Sequence, residues 1–580
     1  MKSIWSFTEG YRKYIALIVC LLLLQVYGDL SLPGYTAQII NIGIVNGDVS
    51  YVSGVGARMM LTSLLILFCA ICVSFVSSRL GAAVSHRLRE RIFAKVLSFS
   101  GEEMERFSTA SLITRSTNDV QQVQMLIMMT MRMVVYAPLM GIGGVIRILN
   151  TNHSMAWIIA VGVGILLMFV AALLRLTMPK FRIMQKLIDK VNLVTREILT
   201  GIPVIRAFSR ERFEEKRFDK ANLDLMKTMM FTNRVMALTG PIMTLIMNGL
   251  SLAIIRVGAD HVMRGNLLAG DIVAYNTYAM QIIMSFLMLT IMSIMLPRAL
   301  VSADRIAEVL DAQPAVTDDE KTTPYPEAPA RVCFRGVSFR YPGAEKNTLS
   351  DITFSAEPGE TTAIIGSTGS GKSTLMHLLL RLYDVSEGSI ELAGTDIRRL
   401  EQKELREHIG FVPQKGLLFS GTIKSNLLYG KADASQEDMR QAADIACAAA
   451  FIEEKTDGYE TAVAQGGTNV SGGQRQRLAI ARAIVKNPDI YVFDDSFSAL
   501  DYKTDAALRR ALAKRTKDKT VLIVAQRIST ILHAEKIVVL DKGRIAGIGT
   551  HEELLASCAQ YREIAEGQLT EQELGSVKGR

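Results

Sequence analysis

Cysteine is scarce in this chain: six residues in 580, at positions 20, 69, 72, 333, 447 and 558. Six thiols over that length make no disulfide framework. Cys69 and Cys72 have the spacing of a redox or metal pair. They stand in an apolar run with no second pair, so they read as small buried side chains. Charge is sparse too. Asp, Glu, Lys and Arg make up 21% of residues against 49% hydrophobic, an apolar content that excludes disorder as the dominant state. The mean hydropathy of +0.24 is high for a soluble protein, yet 65 basic and 57 acidic residues exclude a wholly intramembrane one. At roughly 150 residues per domain the length predicts about three to four domain equivalents. The averages therefore imply two regions of opposite character.

Six long apolar runs, 14–44, 58–80, 125–149, 155–178, 236–262 and 270–297, occupy the first 300 residues. Each is long enough to cross a hydrocarbon core of about 30 Å. None alternates like a strand, so they read as helices. The first run has no A-x-A site and continues through Gly28, Pro33 and Gly34, so it is not a cleaved signal peptide. Lys and Arg are absent from 46–57 and 149–156 but dense between runs two and three (Arg87, Arg89, Arg91, Lys95) and between runs four and five (Lys180, Arg182, Lys186, Lys190). The positive-inside rule places both termini in the cytoplasm of a multi-pass protein of the cytoplasmic membrane. The net charge of +8 then reports orientation and not a nucleic-acid partner. Helical spacing in 87–99 and 180–196 predicts that the spans continue into the cytoplasm as hairpins. Breaks are expected at 107–111, with Ser108 and Thr109 as caps, and at 200–203.

Composition changes after Leu310. Residues 311–330 are polar, with Pro314, Pro324 and Pro326, and read as a linker between a membrane domain, 1–310, and a second domain, 331–566; 567–580 is a polar tail. In the second domain, 361–365, 490–493, 520–524 and 537–540 read as buried strands alternating with helices. That pattern predicts an α/β domain with a largely parallel sheet.

Gly366, Ser367, Thr368, Gly369, Ser370, Gly371, Lys372 and Ser373 fit the P-loop pattern, between a strand and the helix that opens near Thr374. Such a loop cradles phosphates with backbone N–H groups. Lys372 adds a point charge, and Ser373 offers a hydroxyl to Mg²⁺. Asp494 ends a buried strand, where a carboxylate can hold the same Mg²⁺. ATP and Mg²⁺ are the expected cofactors.

Between these elements lies Ser471-Gly472-Gly473-Gln474, which can present a hydroxyl and amides to a phosphate at a helix start. This segment resembles the signature motif of ATP-binding cassette (ABC) ATPases. Tyr341 then matches the family's adenine-stacking aromatic, Gln414 its Q-loop glutamine at the metal, and Asp501 its D-loop aspartate. The chain as a whole resembles an ABC exporter half-transporter: an α-helical membrane domain of six helices with long cytoplasmic extensions, fused to an α/β P-loop ABC ATPase. The resemblance implies alternating access, in which ATP closes two ATPase domains. The closure would be passed on through tips near 108–119 and 200–208.

Two positions depart from the family pattern. Asp495 stands where a catalytic glutamate is usual, and Gln526 where a histidine contacts the γ-phosphate. The shorter carboxylate sits roughly 1.5 Å back, and a misplacement near 1 Å can cost about 10²-fold in rate. Glutamine cannot become cationic. The nearest histidine is His533. Similar chains pair with a different half-transporter, so a heterodimer with one weakly hydrolytic site is expected.

For the transported molecule, 28 methionines are about double ordinary usage. Met280, Met284 and Met288 form a stripe on the sixth run that continues to Met292 and Met295; Met125, Met128, Met129, Met131 and Met133 crowd the third. Such side chains suit either ordinary packing or a promiscuous apolar wall. Asp29, Gln25 and Arg132 lie near membrane depth, where charges face cavities or partners. The expected function is ATP-driven export of hydrophobic or amphipathic small molecules, with membrane lipids as surroundings. A lipid or lipopeptide flippase, a siderophore importer on the same fold and an ATP-binding regulator are the alternatives. Only about 13 residues precede the first run, too few for a leader peptidase.

Overall fold

The computed structural model describes residues 10–151, 155–319 and 321–569. The chain divides into two compact units: Met1–Val96 with Ala110–Asp311, and Leu97–Thr109 with Ala312–Arg580.

Among its described residues the first unit has helices and no strand. Its helices include α1 (Arg12–Asp29), α2 (Val49–Leu97), α4 (Val120–Thr151), α5 (Ala156–Ala207), α6 (Glu211–Ala237), α7 (Thr239–Met263) and α8 (Ala269–Asp311); α3 (Gly101–Phe107) belongs to the other unit. Among the described residues six segments are long and apolar enough to cross a membrane, as the sequence predicts. The 52 residues of α5 span about 78 Å at 1.5 Å per residue, so the spans do extend well past a hydrocarbon core. Leu61, Leu64, Phe68, Ile71 and Phe75 of α2 are exposed, an apolar surface that suits lipid or a partner. Helix α4 packs on α8. There a Cβ on Gly144 would lie 2.7 Å from Ile282, so only a small residue allows the approach.

One expected break is misplaced. Residues 200–203 are helical, and Pro203 sits inside α5. A proline removes only its own N–H from the ladder, and the turn around it can hold. The stop comes at Ser209, which adopts φ 50°, with Arg210 N–H closing on the Ile205 carbonyl at 2.9 Å. The other break is found where expected: α3 ends at Phe107, and Ser108 takes φ 48°.

Among the described residues the second unit carries twelve strands: β1 (Val332–Phe339), β2 (Leu349–Ala356), β3 (Thr361–Gly366), β4 (Glu387–Leu392), β5 (Thr395–Asp396), β6 (Ile409–Val412), β7 (Gly421–Thr422), β8 (Ala462–Val463), β9 (Ile490–Asp494), β10 (Thr520–Val524), β11 (Lys536–Asp541) and β12 (Arg544–Gly549). Six form one sheet in the order β12-β11-β3-β10-β9-β6, parallel except for β12. Alternate residues of its central strands feed two separate cores. Ala363 and Ile365 enter one with Phe493 and Ile523; Ile364 enters the other with Val492 and Leu522. Burial on both faces explains why these strands read as unbroken apolar runs. A second, antiparallel sheet, β2-β1-β4-β5, stands beside it.

The described residues of 312–330 form no helix or strand, but the stretch is fastened down. Arg381 donates to Asp318 at 3.1 Å and to the Thr317 carbonyl at 2.9 Å, and Tyr325 stacks on His408 with centroids 3.6 Å apart.

Candidate nucleotide site

Three parallel strands end side by side, and each delivers one part of the site, the usual place for a ligand in an open α/β sheet. β3 runs into the loop 366–371 and then α9 (Lys372–Leu379). Gly371 precedes α9 at φ 98°, a left-handed conformation that a side chain would strain, and a Cβ there would lie 2.6 Å from Leu349. Ser367, Thr368 and Gly369 are exposed, while Ser370, Lys372 and Thr374 are buried. Lys372 Nζ donates to the Gly366 and Ser367 carbonyls, both at 2.8 Å, so it lies folded along its own loop. Burial pushes its ammonium below the usual lysine range; the Asp495 and Asp494 charges oppose this only in part. Ser370 Oγ is buried with no hydrogen-bond partner among the described residues.

β9 delivers Asp494 and Asp495. Ser373 Oγ donates to Asp494 Oδ1 at 3.0 Å. Burial raises the Asp494 carboxyl above the usual aspartate range, offset in part by that hydroxyl and by His377. The hydroxyl–carboxylate pair at the first turn of α9 is the donor set that Mg²⁺ takes with phosphate. Asp495 is left-handed at φ 46°, and its N–H donates to the Val524 carbonyl at 2.9 Å. Its Oδ2 accepts two amide donors, Gln414 Nε2 at 3.1 Å and Gln526 Nε2 at 2.9 Å. Gln526 follows the end of β10, the third strand. Gln414, expected at the metal, therefore turns its amide to Asp495, and Gln526 does the same.

Tyr341 packs edge-on against Phe339 and Tyr383, and its hydroxyl meets Thr374 Oγ1 at 3.1 Å, just behind the loop. Ser471 caps α10 (Gly472–Lys486): its Oγ accepts from Gln474 N–H at 3.2 Å, and Gln474 Oε1 accepts from Ser471 N–H at 3.1 Å. Ser471 and Gly472 are exposed. Among the described residues no hydrogen bond joins 471–474 to the P-loop. Asp501 is spent as the cap of α11 (Tyr502–Arg515), accepting from Thr504 N–H at 2.9 Å.

Sequence reading missed Gln476. Its side chain donates to the Pro413 carbonyl at 3.2 Å and accepts from Gly416 N–H at 2.9 Å, tying the segment around Gln414 to α10. The available signal was a glutamine on the buried face of that helix. Of the expected tip, 108–119, Ser108 and Thr109 group with the ATPase unit, together with α3 just before them. Its start was legible as a capping box, with Ser100 N–H donating to Glu103 Oε2 at 2.8 Å. Gly101 N–H donates to the Leu382 carbonyl at 3.0 Å, and Tyr383 donates to Glu105 at 2.9 Å.

In the helical unit, a cavity of about 440 Å³ is lined by Gln25, Ser77, Met128, Met129, Met133, Tyr136 and Met288. Tyr136 donates to Asp29 Oδ2 at 2.8 Å. A smaller cleft adds Met125 and Met292. Met280 and Met284 line neither; Met284 is exposed. They lie one to two turns from Met288 on α8, and only part of a helical stripe can face one cavity. The side chains of Met131, Arg132 and Met295 lie outside the described residues.

Residues 15–286 match the ABC transporter transmembrane region and 349–498 the ABC transporter ATPase family. An ABC transporter ATP-binding protein of Mycobacterium tuberculosis is 42% identical over 98% of both chains. The chain belongs to the ABC transporter family. A probable multidrug resistance ABC transporter ATP-binding/permease protein of Bacillus subtilis is 35% identical over 83% of this half-transporter and 82% of its own length. A solved bacterial Atm1-family ABC exporter with ATP bound superposes with a TM-score of 0.80 at 26% identity, covering 97% of this chain and 99% of that one. This half-transporter thus has the ABC exporter fold and is a multi-pass membrane protein that acts as a dimer. Its ATPase binds nucleotide and couples hydrolysis to transport.

Proposed function

We propose that this half-transporter exports hydrophobic or amphipathic small molecules as one subunit of a heterodimer, and that its own ATP site turns over slowly. The observation that carries the reading is the double amide grip on Asp495 Oδ2. An oxygen held by two donors is fixed in place and is not free to turn toward an attacking water. Asp495 is also one methylene shorter than the family's glutamate. ATP would sit on the P-loop amides with Lys372 on its outer phosphates. Ser373 and Asp494 would hold Mg²⁺, which neutralises phosphate charge when bound. The cap Ser471–Gln474, exposed at Ser471 and Gly472, would complete the site of a partner that carries glutamate and histidine at the two departing positions.

Both termini are assigned to the cytoplasm on the charge of the loops. The methionine-lined cavity and the printed name of the Bacillus subtilis relative support an apolar substrate. The test is to purify the tagged full chain from its native membranes and identify what co-purifies. The pair is then reconstituted, and its ATPase compared with amphipathic cationic dyes and with fluorescent lipids. Recovery of a second half-transporter and stimulation by the dyes support the reading. A homodimer stimulated only by lipid contradicts it and favours a flippase.

A further inference from the structure

The C-terminal end of the described chain reaches back to the nucleotide site. Helix α13 (Ala559–Glu566) is anchored through fully buried Tyr561 and Ala565, and Tyr561 OH lies 2.7 Å from His551 Nδ1. Past its end, Gln568 and Leu569 N–H groups both return to the Ala565 carbonyl, at 3.1 and 2.8 Å, and Leu569 packs on the core. The ATPase unit therefore includes the first residues of the stretch read from sequence as a tail. The turn aims the Gln568 side chain at the segment after β10. Its Nε2 donates to the Gln526 carbonyl at 2.8 Å, and its Oε1 accepts from Ile528 N–H at 2.8 Å.

Both contacts answer a local need. Ile528 opens a helix of four residues, α12 (Ile528–Ile531), whose preceding residue, Arg527, supplies no side-chain cap. The first amides of a helix have no partner within it. Gln568 supplies one from forty residues away, and in the same gesture it holds the carbonyl of Gln526. Ile528 and Ile531 are buried and fix the far side of the segment. The near side, from which Gln526 reaches Asp495, is fixed by Gln568.

We propose that Gln568 is a positioning residue: a C-terminal latch that holds Gln526 against Asp495 and so keeps this ATP site slow. The inference rests on the reading of Asp495 and Gln526 given under Proposed function. Releasing the latch frees Gln526 and removes one of the two donors that fix Asp495 Oδ2 in place, so that the carboxylate can turn toward an attacking water.

The test uses the full-length protein in lipid nanodiscs. Gln568→Met keeps the length of the side chain and removes both hydrogen bonds; Gln568→Glu keeps only the acceptor for Ile528. Hydrogen exchange at residues 526–528 reads the latch directly. It is expected to quicken about threefold to tenfold in Gln568→Met, with Gln568→Glu between that variant and wild type. The kcat for ATP is expected to rise about threefold with KM unchanged, because the P-loop is untouched. Gln526→Ala is expected to raise kcat to the same degree, and adding Gln568→Met to it should produce no further change, as residues acting through one another are not additive. Unchanged exchange overturns the latch. So does a kcat that responds to Gln526→Ala but not to Gln568→Met, or a Gln568→Met effect that persists in the Gln526→Ala background. A kcat indifferent to Gln526→Ala overturns the slow-site reading, and the latch with it, whatever the exchange shows.

Discussion

Gln526 Nε2 lies 2.9 Å from Asp495 Oδ2, so the residue expected to meet the γ-phosphate instead restrains the residue expected to activate water. Only the nitrogen of a glutamine amide can face a carboxylate as a donor. Gln414 adds a second donor to the same oxygen at 3.1 Å. On this geometry Asp495 Oδ2 is held by two amide donors. Asp495→Asn is therefore expected to lower the ATPase rate of the full chain by less than about tenfold, where loss of a working general base costs about 10²–10⁴-fold. Steady-state phosphate release, with ATP binding measured in parallel, decides between the two.

Asp494 carries a pH dependence. Burial raises its carboxyl above the ordinary aspartate value despite the Ser373 hydroxyl. Between the unfolded and folded pKa values the native state then binds more protons than the unfolded chain. Stability therefore falls as pH rises through that window and stays lower above it. Asp494→Asn is expected to raise the melting temperature of the nucleotide-free protein at neutral pH, with the difference closing in acid. It is expected to abolish the Mg²⁺ dependence of ATP binding. In wild type that dependence should weaken on acidification at a higher pH than an ordinary aspartate would give. Melting curves and fluorescent-nucleotide titrations across pH check both halves.

The tip helix α3 leaves no room at Gly101. A Cβ there collides with the Tyr383 ring, beside the hydrogen bond from Tyr383 to Glu105. Gly101→Val is expected to cost about 1–3 kcal/mol of docking through overpacking. Transport in proteoliposomes should fall while ATP binding persists. Parallel loss of both would place the residue in folding instead of coupling.

Asp29 is held by Tyr136, a lining residue of the methionine-bearing cavity. A carboxylate at membrane depth favours a cationic substrate. Asp29→Asn is expected to raise the half-saturating concentration of a cationic dye about tenfold and to leave a neutral dye unchanged, the loss of one charged hydrogen bond. Equal behaviour of the two dyes rules out charge selection by Asp29.

Legibility in the sequence followed burial. Strands β3, β9, β10 and β11 are covered on both faces, so each is an apolar run visible without alignment, and the motif residues sit at their ends. The antiparallel sheet escaped because its strands mix buried and exposed positions; β2 alternates Leu349, Ile352 and Phe354 with half-buried and exposed residues. Helix α3 is too short for a periodic signal, and Pro203 suggested a break that the surrounding ladder bridges. The contacts that shape the site chemistry were out of reach. Gln526 meets Asp495 across 31 positions and Gln568 across 42, and no local period encodes a polar side chain that reaches so far.

The central claim is that this ATP site binds nucleotide but is slowed by Asp495 and Gln526. Its most direct test is the ATPase rate of the purified full chain beside the double variant Asp495→Glu, Gln526→His, with ATP binding measured on both. The account predicts similar ATP affinity and a rate that rises about tenfold to a hundredfold in the double variant, as restored placement of the carboxylate implies. Robust hydrolysis by the wild-type chain alone, unchanged by the two substitutions, would contradict it.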